Sequence, residues 1–459
     1  MKKLLLSLCF LCSLSMVNAQ WIELGGTGAN ALDAYGQINS VVVDNYGNVY
    51  AAGYFVDKNG YYYVAQWNGT NWSEVGAGGD SLYANDIIWS LALDASGNLY
   101  AAGQFTNNAG SQYVAVWNGT SWSELGAGSN TLNANNYIYW IDIDNAGNVY
   151  AAGAFTDGNN YNYVAKWDGS SWNELGTGTN ALKANGYKYP SGGIFSVAVD
   201  KVGNVYATGF FTNANGNNYV AKWNGANWSQ LGNDFDNSVE AMTIDNSGNI
   251  YVGGDFTDSS NQYYVAKWSG ARWVELGSGT NALKANNFIN AIVTDSLGNV
   301  YTGGQFTDAN SKSYVAKWNG SSWSELGTGS DALDANNYIY SIALDGSKNV
   351  YAAGFYTDPN GYGYVAEFKQ KSVITSITNA TVNSNAINIY PNPTNNNFTI
   401  NAPEGGQVAV YNALGQLVAT QNVSAGNATI SLDNSATGIY TVILTGENNS
   451  YPAVKLVKN

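Results

Sequence analysis

The sequence contains no histidine, and its only two cysteines, Cys9 and Cys12, lie close to the N-terminus. The lack of histidine excludes Ser-His-Asp triads, histidine general bases near neutral pH and most zinc sites. Charged residues make up only 11% of the chain, and acidic residues outnumber basic ones to give a net charge of −15. A field of that sign disfavours nucleic acid and anionic lipid as partners.

The first 19 residues have the pattern of a secretory signal peptide. Two lysines precede an apolar run over residues 4–14, and small residues at 17–19 suit cleavage before Gln20. No later apolar run is long enough to span a bilayer, so we expect no transmembrane segment. Both cysteines fall inside the signal, so we expect no disulfide, thiol nucleophile, metal ion or other cofactor in the exported chain.

A short motif recurs along the chain. Asp-x-x-Gly-Asn-(Val/Leu/Ile)-Tyr begins at six positions, and a seventh copy has Lys348 in place of the glycine: Asp44, Asp94, Asp144, Asp200, Asp245, Asp295 and Asp345. Alternating apolar residues and turn residues predict four strands per repeat, named a to d. Repeats of four short strands at this period are typical of β-propeller blades.

The strand d pattern, Trp-x-Glu-Leu-Gly and its variants, also occurs seven times, but its first copy at Trp21 precedes every strand a. No copy follows the last strand c at 364–368. We therefore predict that residues 21–25 complete the last blade, which leaves no open sheet edge. The predicted fold is all-β: a seven-bladed β-propeller over residues 20–369, closed by its N-terminal strand.

Glycines end strand b, as in Gly253-Gly254 and Gly303-Gly304, and an aromatic pair flanks the c–d hairpin. With these features the region 21–368 resembles kelch-type and related bacterial surface propellers. The repeated tryptophans beside the hairpin are expected to pack between strands and neighbouring blades.

Residues 370–386 are rich in Ser, Thr and Asn and are predicted to form a linker. Residues 387–459 show alternating apolar residues and turns that predict a small β-sandwich. Their motif residues resemble the type A sorting domain of the type IX secretion system of Bacteroidota: Tyr390, Pro391, Asn392, Pro393, Gly415, Gly438, Tyr440 and Lys455. The resemblance implies handling by the outer-membrane translocon and its C-terminal signal peptidase. It also implies a protein that is secreted or held at the outer-membrane surface of a Gram-negative bacterium.

Loop lengths mark one candidate binding groove. From the strand d tryptophan to the next strand a takes 16 residues in most blades, but 22 before Ile194 and 11 before Val239. The lengthened connection contains the aromatic residues Tyr187 and Tyr189. The shortened connection contains the acidic residues Asp234 and Asp236, and Glu240 follows on the strand. We predict a ligand groove between the fourth and fifth blades, with neutral loop drift as the alternative.

The second residue of strand a also varies, and it is predicted to rim the central mouth or to pack in the core: Asn39, Trp89, Tyr139, Phe195, Glu240, Asn290 and Tyr340. Asp142 stands in an apolar slot, so it needs a hydrogen-bond partner, a raised pKa or solvent in the channel. Aspartates after strand b, such as Asp57, are predicted to form turns, with calcium binding as the alternative.

Aromatic residues interleaved with Asn, Asp and Gly on solvated loops suit neutral polar ligands. We expect a non-enzymatic recognition or adhesion module that binds carbohydrate or an extracellular protein. A glycan-cleaving hydrolase or lyase is the alternative, for which the acids named above are the candidates. A purely structural surface role is a third, since fold alone does not settle function.

Overall fold

The computed structural model describes residues 20–26, 28, 30–186, 192–369, 387–412, 417–433, 435–446, 451 and 453–459. The predicted signal peptide, the predicted linker and the pair Tyr187 and Tyr189 lie outside the described residues. The chain forms two compact units, which divide near residue 371.

The N-terminal unit consists of seven antiparallel four-stranded sheets, each in the order a-b-c-d, which confirms the predicted seven-bladed β-propeller. The innermost strands a are Ile38–Val43, Ile88–Leu93, Ile138–Ile143, Gly193–Val199, Val239–Ile244, Ile289–Thr294 and Ile339–Leu344. Strands b are Val49–Gly53, Leu99–Gly103, Val149–Gly153, Val205–Phe210, Ile250–Gly254, Val300–Gly304 and Val350–Gly354. Blades are numbered 1 to 7 in this order.

The outer strands are only three residues long. Strands c are Ala65–Trp67, Ala115–Trp117, Ala165–Trp167, Ala221–Trp223, Ala266–Trp268, Ala316–Trp318 and Ala366–Phe368. Strands d of blades 1 to 6 are Trp72–Glu74, Trp122–Glu124, Trp172–Glu174, Trp228–Gln230, Trp273–Glu275 and Trp323–Glu325. Short 3-10 turns follow four of them, at Gly128–Asn130, Gly178–Asn180, Gly279–Asn281 and Gly329–Asp331.

The N-terminal strand supplies strand d of blade 7, as predicted. Trp21–Glu23 pairs antiparallel with Ala366–Phe368, and Trp21 lies opposite Phe368. The two rings pack with centroids 5.4 Å apart. The first and last blades are thereby joined in one sheet, which removes the sheet edge that an open ring would expose.

The repeated aspartate stabilises the turn between strands a and b. In blade 1, Oδ1 of Asp44 accepts hydrogen bonds from the backbone N–H of Tyr46 and Asn48 at 2.8 and 2.9 Å. Its Oδ2 accepts from Nδ2 of Asn48 and the hydroxyl of Tyr50 at 2.7 and 3.2 Å. Asp, Asn and Tyr of the motif are thus joined by hydrogen bonds, and Gly47 supplies the positive φ of +85° that the turn requires.

The core of the propeller lies between blades. One buried cluster combines Tyr50 and Ala52 of blade 1 with Ile88, Leu91 and Phe105 of blade 2. The half-buried strand d tryptophans add a hydrogen bond to this packing, because each indole N–H donates to a backbone carbonyl of the preceding blade, as from Trp122 to Val75 at 3.1 Å. Neighbouring blades are therefore joined by apolar contacts and by a directional bond.

The C-terminal unit is a β-sandwich, as predicted. One sheet contains Asn388–Tyr390, Asn397–Ala402 and Gly426–Ser431, and the other contains Leu417–Val423, Gly406–Asn412, Gly438–Gly446 and Val454–Lys458 in that order. Side chains of both sheets meet in one core, which includes Phe398 and Ile400 from the first and Val410, Val442 and Leu456 from the second.

Candidate functional site

The long connections d–a and b–c lie on one face of the propeller, here called the upper face. Isolated bridges join the two loops, as between Tyr62 of the b–c loop and Ala84 of the d–a loop. Strand a begins at this face because it follows the d–a connection. The residues at its start therefore surround the upper opening of the central channel.

The seven varied residues at the second position of strand a form this opening and are here called the mouth ring: Asn39, Trp89, Tyr139, Phe195, Glu240, Asn290 and Tyr340. Each sits at a β-bulge, since strand pairing shifts between the residue before it and the residue after it in every blade. A bulge leaves one residue unpaired and re-aims its side chain. The sequence analysis did not predict these bulges.

The glycine that ends strand b makes the bulge possible. A Cβ at Gly53 would lie 2.2 Å from the carbonyl oxygen of Gln37 and 2.8 Å from the backbone nitrogen of Asn39. Any other residue would push the bulged strand away. Glycine inside a strand pattern often marks a bulge, so the glycine that ends strand b is the sequence signal from which these bulges were predictable.

Three ring residues form an aromatic arc across blades 2 to 4. Trp89 and Tyr139 pack edge to face with centroids 6.2 Å apart, and Tyr139 and Phe195 are 5.8 Å apart. All three side chains are half-buried. Tyr340, on the far side of the ring, packs against Tyr338 of its own blade at 6.4 Å.

Three polar atoms of the ring are buried without a hydrogen-bond partner among the described residues. They are the indole nitrogen of Trp89 and the amide oxygens of Asn39 and Asn290. Leaving a buried donor or acceptor unpaired costs about 1–3 kcal/mol. These three atoms therefore have unused hydrogen-bonding capacity, and all three lie below the solvent-accessible surface.

Glu240 is the one acid of the ring. Its Oε1 accepts a 2.5 Å hydrogen bond from the Ser238 hydroxyl. Burial raises the pKa of Glu240 to about 7, the Ser238 bond acts against this, and nearby Asp255 adds to it. At neutral pH this carboxyl is close to half protonated, so it both donates and accepts hydrogen bonds.

Asp142 lies deeper, in the wall of a cavity of about 360 Å³ within the channel. Its Oδ2 accepts a 3.0 Å hydrogen bond from the backbone N–H of Val199 in the next blade. In other blades a serine makes this kind of link, as Ser40 does with Leu91 at 3.0 Å. Trp140 occupies the serine position of blade 3, and Asp142 bonds instead to a backbone N–H two residues further along the next strand a. Burial raises the pKa of Asp142 to about 6.

The acids of the predicted groove are engaged in local contacts. Asp234 accepts from Nδ2 of Asn213 and Asn217, both at 2.9 Å. Asp236 accepts from the backbone N–H of Thr257 at 3.0 Å and from its hydroxyl at 2.9 Å. Its position belongs to the repeat, because an asparagine of other blades makes the same contacts, as Asn85 does. Asp236 is therefore not the departure from the pattern that the sequence analysis took it to be.

The groove itself stays a prediction, since its aromatic side, Tyr187 and Tyr189, lies outside the described residues.

Asp57 closes the b–c turn by accepting from the backbone N–H of Asn59 and Tyr61 at 2.8 and 2.9 Å. This is the turn role predicted for the aspartates after strand b. Within the described residues, no group of three or more Asp, Glu, Cys or His side chains is placed to hold a metal ion.

The motif residues of the C-terminal unit hold its last strand. Nδ2 of Asn392 donates to the carbonyl of Lys455 at 2.7 Å, and Oδ1 accepts from the backbone N–H of Val457 at 2.9 Å. Pro391 and Pro393 flank Asn392, and both follow cis peptide bonds. Tyr390 ends the first strand of the unit, Gly438 begins another with φ of +153°, and Tyr440 is buried in the core. Gly415 lies outside the described residues.

The fold thus defines a seven-bladed β-propeller with an open aromatic mouth, followed by a sandwich with a tied C-terminal strand. Residues 388–459 match the family described as "Secretion system C-terminal sorting domain". The chain is therefore a β-propeller protein sorted by the type IX secretion system, as the sequence predicted, and its destination is the cell surface or the extracellular space. No helix in the described part of the chain has the length and apolar character needed to cross a membrane.

Solved structures resemble this chain at low identity. PorZ, an essential bacterial surface component of the type-IX secretion system of Porphyromonas gingivalis, is 16% identical over 95% of this chain and 60% of PorZ, with a TM-score of 0.49. The extracellular domain of the hybrid two component system BT4673 from B. thetaiotaomicron is 14% identical over 84% of this chain and 45% of that one, with a TM-score of 0.51.

The chain spans about three fifths of the length of PorZ. The WD40 β-propeller domain of Doa1 is 12% identical over 76% of this chain and 97% of its own, with a TM-score of 0.48. At such identities a likeness shows the fold alone. A comparison with curated protein sequences finds no match.

Proposed function

We propose that the propeller is a non-enzymatic recognition module of the cell surface and that its mouth ring binds a neutral carbohydrate. The observation that carries this proposal is the set of three unpaired buried polar atoms, on Asn39, Trp89 and Asn290, in the same ring as the aromatic arc. A sugar hydroxyl both donates and accepts, so it satisfies the indole N–H and the amide oxygens alike. Aromatic rings pack against the apolar faces of sugars.

Charge supports a neutral ligand. The mouth ring contains no lysine or arginine, and the whole chain has a net charge of −15. An anionic sugar would meet a repulsive field and no cation to pair with. The cavity of about 360 Å³ below the ring lies within the size range of small-ligand sites.

A glycan-cleaving enzyme is the weaker proposal. Asp142 and Glu240 are the two channel acids with raised pKa values, but they lie on strands a of blades 3 and 5, at the fifth and second positions. Three residues along a strand correspond to roughly 10 Å, before the separation of the blades is added. Paired glycosidase carboxylates are about 5–9.5 Å apart. Both acids also hold structural hydrogen bonds.

The test is a glycan array probed with the chain from Gln20 onward, followed by calorimetric titration of any glycan that binds. Replacing Trp89 and Tyr139 by asparagine, the residue that the ring uses at Asn39, should weaken binding at least about tenfold through lost stacking. Tyr46→Ala, at the exposed tip of an a–b turn, is the matched control and should bind as wild type. Unchanged affinity in the ring variant would exclude the mouth as the site.

The same titration separates the alternatives. Glu240→Gln should retain most of the affinity, because the amide still accepts from Ser238. Release of shortened glycan by wild type, lost in Glu240→Gln, would establish an enzyme instead. We further propose that the translocon and its C-terminal signal peptidase act on the sorting domain during export.

A further inference from the structure

Exposed aromatic side chains of the upper face are concentrated where blade 7 meets blade 1. The residues with more than a third of their surface exposed there are Tyr35, Tyr54, Tyr61, Tyr83 and Phe355. Together with Tyr362 they are here called the seam platform. On the rest of the described upper face, Tyr137 and Tyr338 are the large hydrophobic side chains exposed to this extent. The platform lies outside the mouth ring and uses none of its residues.

The platform begins with a departure from the repeat. In blade 2, Oδ1 of Asn85 accepts from the backbone N–H of Thr106 at 2.8 Å, and Nδ2 donates to its hydroxyl at 3.0 Å. Five other blades place Asn or Asp opposite Thr at these positions, but blade 1 has Tyr35 and Val56. Tyr35 is 79% exposed and Val56 is 38% exposed. The change gives up two hydrogen bonds and exposes apolar surface, so it does not stabilise the fold.

Six rings of this region form three edge-to-face pairs. Tyr362 and Tyr35 pack edge to face at 5.1 Å, Tyr54 and Tyr62 at 5.7 Å, and Tyr61 and Tyr83 at 5.3 Å. Gly36, next to Tyr35, lets the backbone approach Tyr54 closely, because a Cβ there would lie 2.8 Å from a ring carbon of Tyr54. Edge-to-face contacts fix the ring orientations, so little side-chain freedom is left to lose on binding.

The charged residues around the seam platform are mainly acidic. The pKa of the Tyr362 hydroxyl is raised by its hydrogen bond with Tyr35 and, to a smaller extent, by the carboxylates of Asp33 and Asp358. Lys58 is the nearest cation in the sequence, at the tip of the b–c turn of blade 1. An anionic polymer is therefore repelled, whereas a neutral one is not.

We propose that the seam platform is a second binding surface, which takes an extended neutral polysaccharide chain. The seam platform has several exposed rings and no enclosing pocket, so it fits a polymer that lies across it and stacks sugar units on more than one ring. Tyrosine hydroxyls supply hydrogen bonds at the edges of the rings. Contiguous exposed apolar surface of this kind on a soluble domain marks an interaction site.

The repeat supplies the variants for the test. Tyr35→Asn with Val56→Thr introduces the hydrogen-bonded Asn–Thr pair that other blades have at these positions. Tyr54→Gln copies Gln104 of blade 2, and Tyr61→Ser copies Ser111 of the same blade. Because each new residue already occupies the equivalent place in another blade, we expect the combined seam variant to fold and to melt no lower than wild type. Tyr161→Ser, the same change in blade 3, is the matched control, and Trp89→Asn reports on the mouth.

The probe is native affinity electrophoresis of the chain from Gln20 onward in gels containing xyloglucan, mixed-linkage β-glucan, galactomannan or the anionic polygalacturonate. Wild type should be retarded by at least one neutral polymer and not by polygalacturonate. The seam variant should lose at least about tenfold in affinity, while Tyr161→Ser keeps it. Free migration of wild type in every neutral gel, or equal retardation of a folded seam variant, would overturn the proposal. The seam variant leaves the mouth ring unchanged and Trp89→Asn leaves the seam platform unchanged, so the fraction of binding that each one removes shows which site holds the polymer.

Discussion

The indole N–H of Trp21 donates a 2.7 Å hydrogen bond to the backbone carbonyl of Leu326, across 305 residues of sequence. The six internal blades make the same bond between successive strands d, as Trp172 does to Leu125 at 2.9 Å. The N-terminal strand thus joins blade 7 to blade 6 by the geometry that joins all other blades. Ring closure is therefore an ordinary blade contact formed between distant parts of the chain.

Removing this bond should weaken the closed ring. We expect Trp21→Phe to lower the free energy of unfolding by about 1–3 kcal/mol, because a buried carbonyl loses its donor. Trp21→Ala, which also removes the packing on Phe368, should cost about 3–5 kcal/mol. Thermal melts measure both, with Trp122→Phe as the control for the same bond inside the ring.

Deleting residues 21–25 should have a further, local effect. Without its fourth strand, blade 7 exposes a sheet edge, so amide hydrogen exchange should accelerate in residues 339–368 and in blade 1 more than in blades 3 to 5. A deletion variant that melts together with the intact propeller would contradict the closure scheme.

Lys348 should destabilise the a–b turn of blade 7. It has φ of +67° at the position where six blades have glycine, and a left-handed conformation is costly for a side chain with a Cβ. We expect Lys348→Gly to raise the free energy of unfolding by about 0.5–1 kcal/mol after the entropy cost of glycine. The reverse change in blade 2, Gly97→Lys, should lower it by a similar amount in parallel melts.

Stability should fall as pH rises from about 5 to 8. Burial raises the pKa of Glu240 to about 7 and that of Asp142 to about 6, so the folded chain binds these protons more tightly than the unfolded chain does. Raising the pH through this window therefore favours unfolding, by about 1–3 kcal/mol for Glu240 after allowance for solvent screening.

Glu240→Gln should accordingly be more stable than wild type at pH 8 and nearly equal to it at pH 4.5. The measurement is a series of melts at fixed ionic strength between those values. Asp80→Asn, at an exposed loop position, is the control and should follow the wild-type curve. A Glu240→Gln variant with the full wild-type pH dependence would show that this carboxyl does not titrate as described.

Export should depend on the contacts of Asn392. A chain ending at Lys371 should stay in the periplasm, and residues 388–459 should carry a fused reporter to the surface. Asn392→Ala loses both bonds to the last strand and should reduce the surface fraction, whereas Asn401→Ala, which loses one exposed side-chain contact, should not. Surface proteolysis and cell fractionation measure the outcome, and surface delivery of the truncated chain would refute the sorting role.

Much of the architecture was predictable because its causes are local. The hydrogen bonds of the Asp44 turn all lie within six residues, so a short motif in the sequence identifies the turn. The seven copies of this motif give the number of blades. The surplus strand at Trp21 and the missing one after Phe368 then indicated closure. The motif around Asn392 indicated the sorting domain before its contacts were known.

The candidate sites were less predictable, since their contacts join residues of different blades. The sequence singled out the mouth ring by its variation, yet its bulges and its three unpaired polar atoms depend on how strands a and b meet. Asp142 was identified as anomalous, but its partner, the N–H of Val199, lies 57 residues away. Asp236 was misjudged because its threonine partner lies in the next loop.

The sequence by itself therefore determined the number of blades, the closing strand, the sparse and mainly acidic charge of the chain and the route of export. The first three follow from periodicity, composition and turns of a few residues, which act without regard to the rest of the chain, and the route of export follows from the resemblance of the C-terminal motif to a known sorting domain. Only the tertiary structure decided which side chains share a surface. Tyr35 and Tyr362 form one platform because ring closure brings the two ends of the propeller together, and no local pattern encodes that contact.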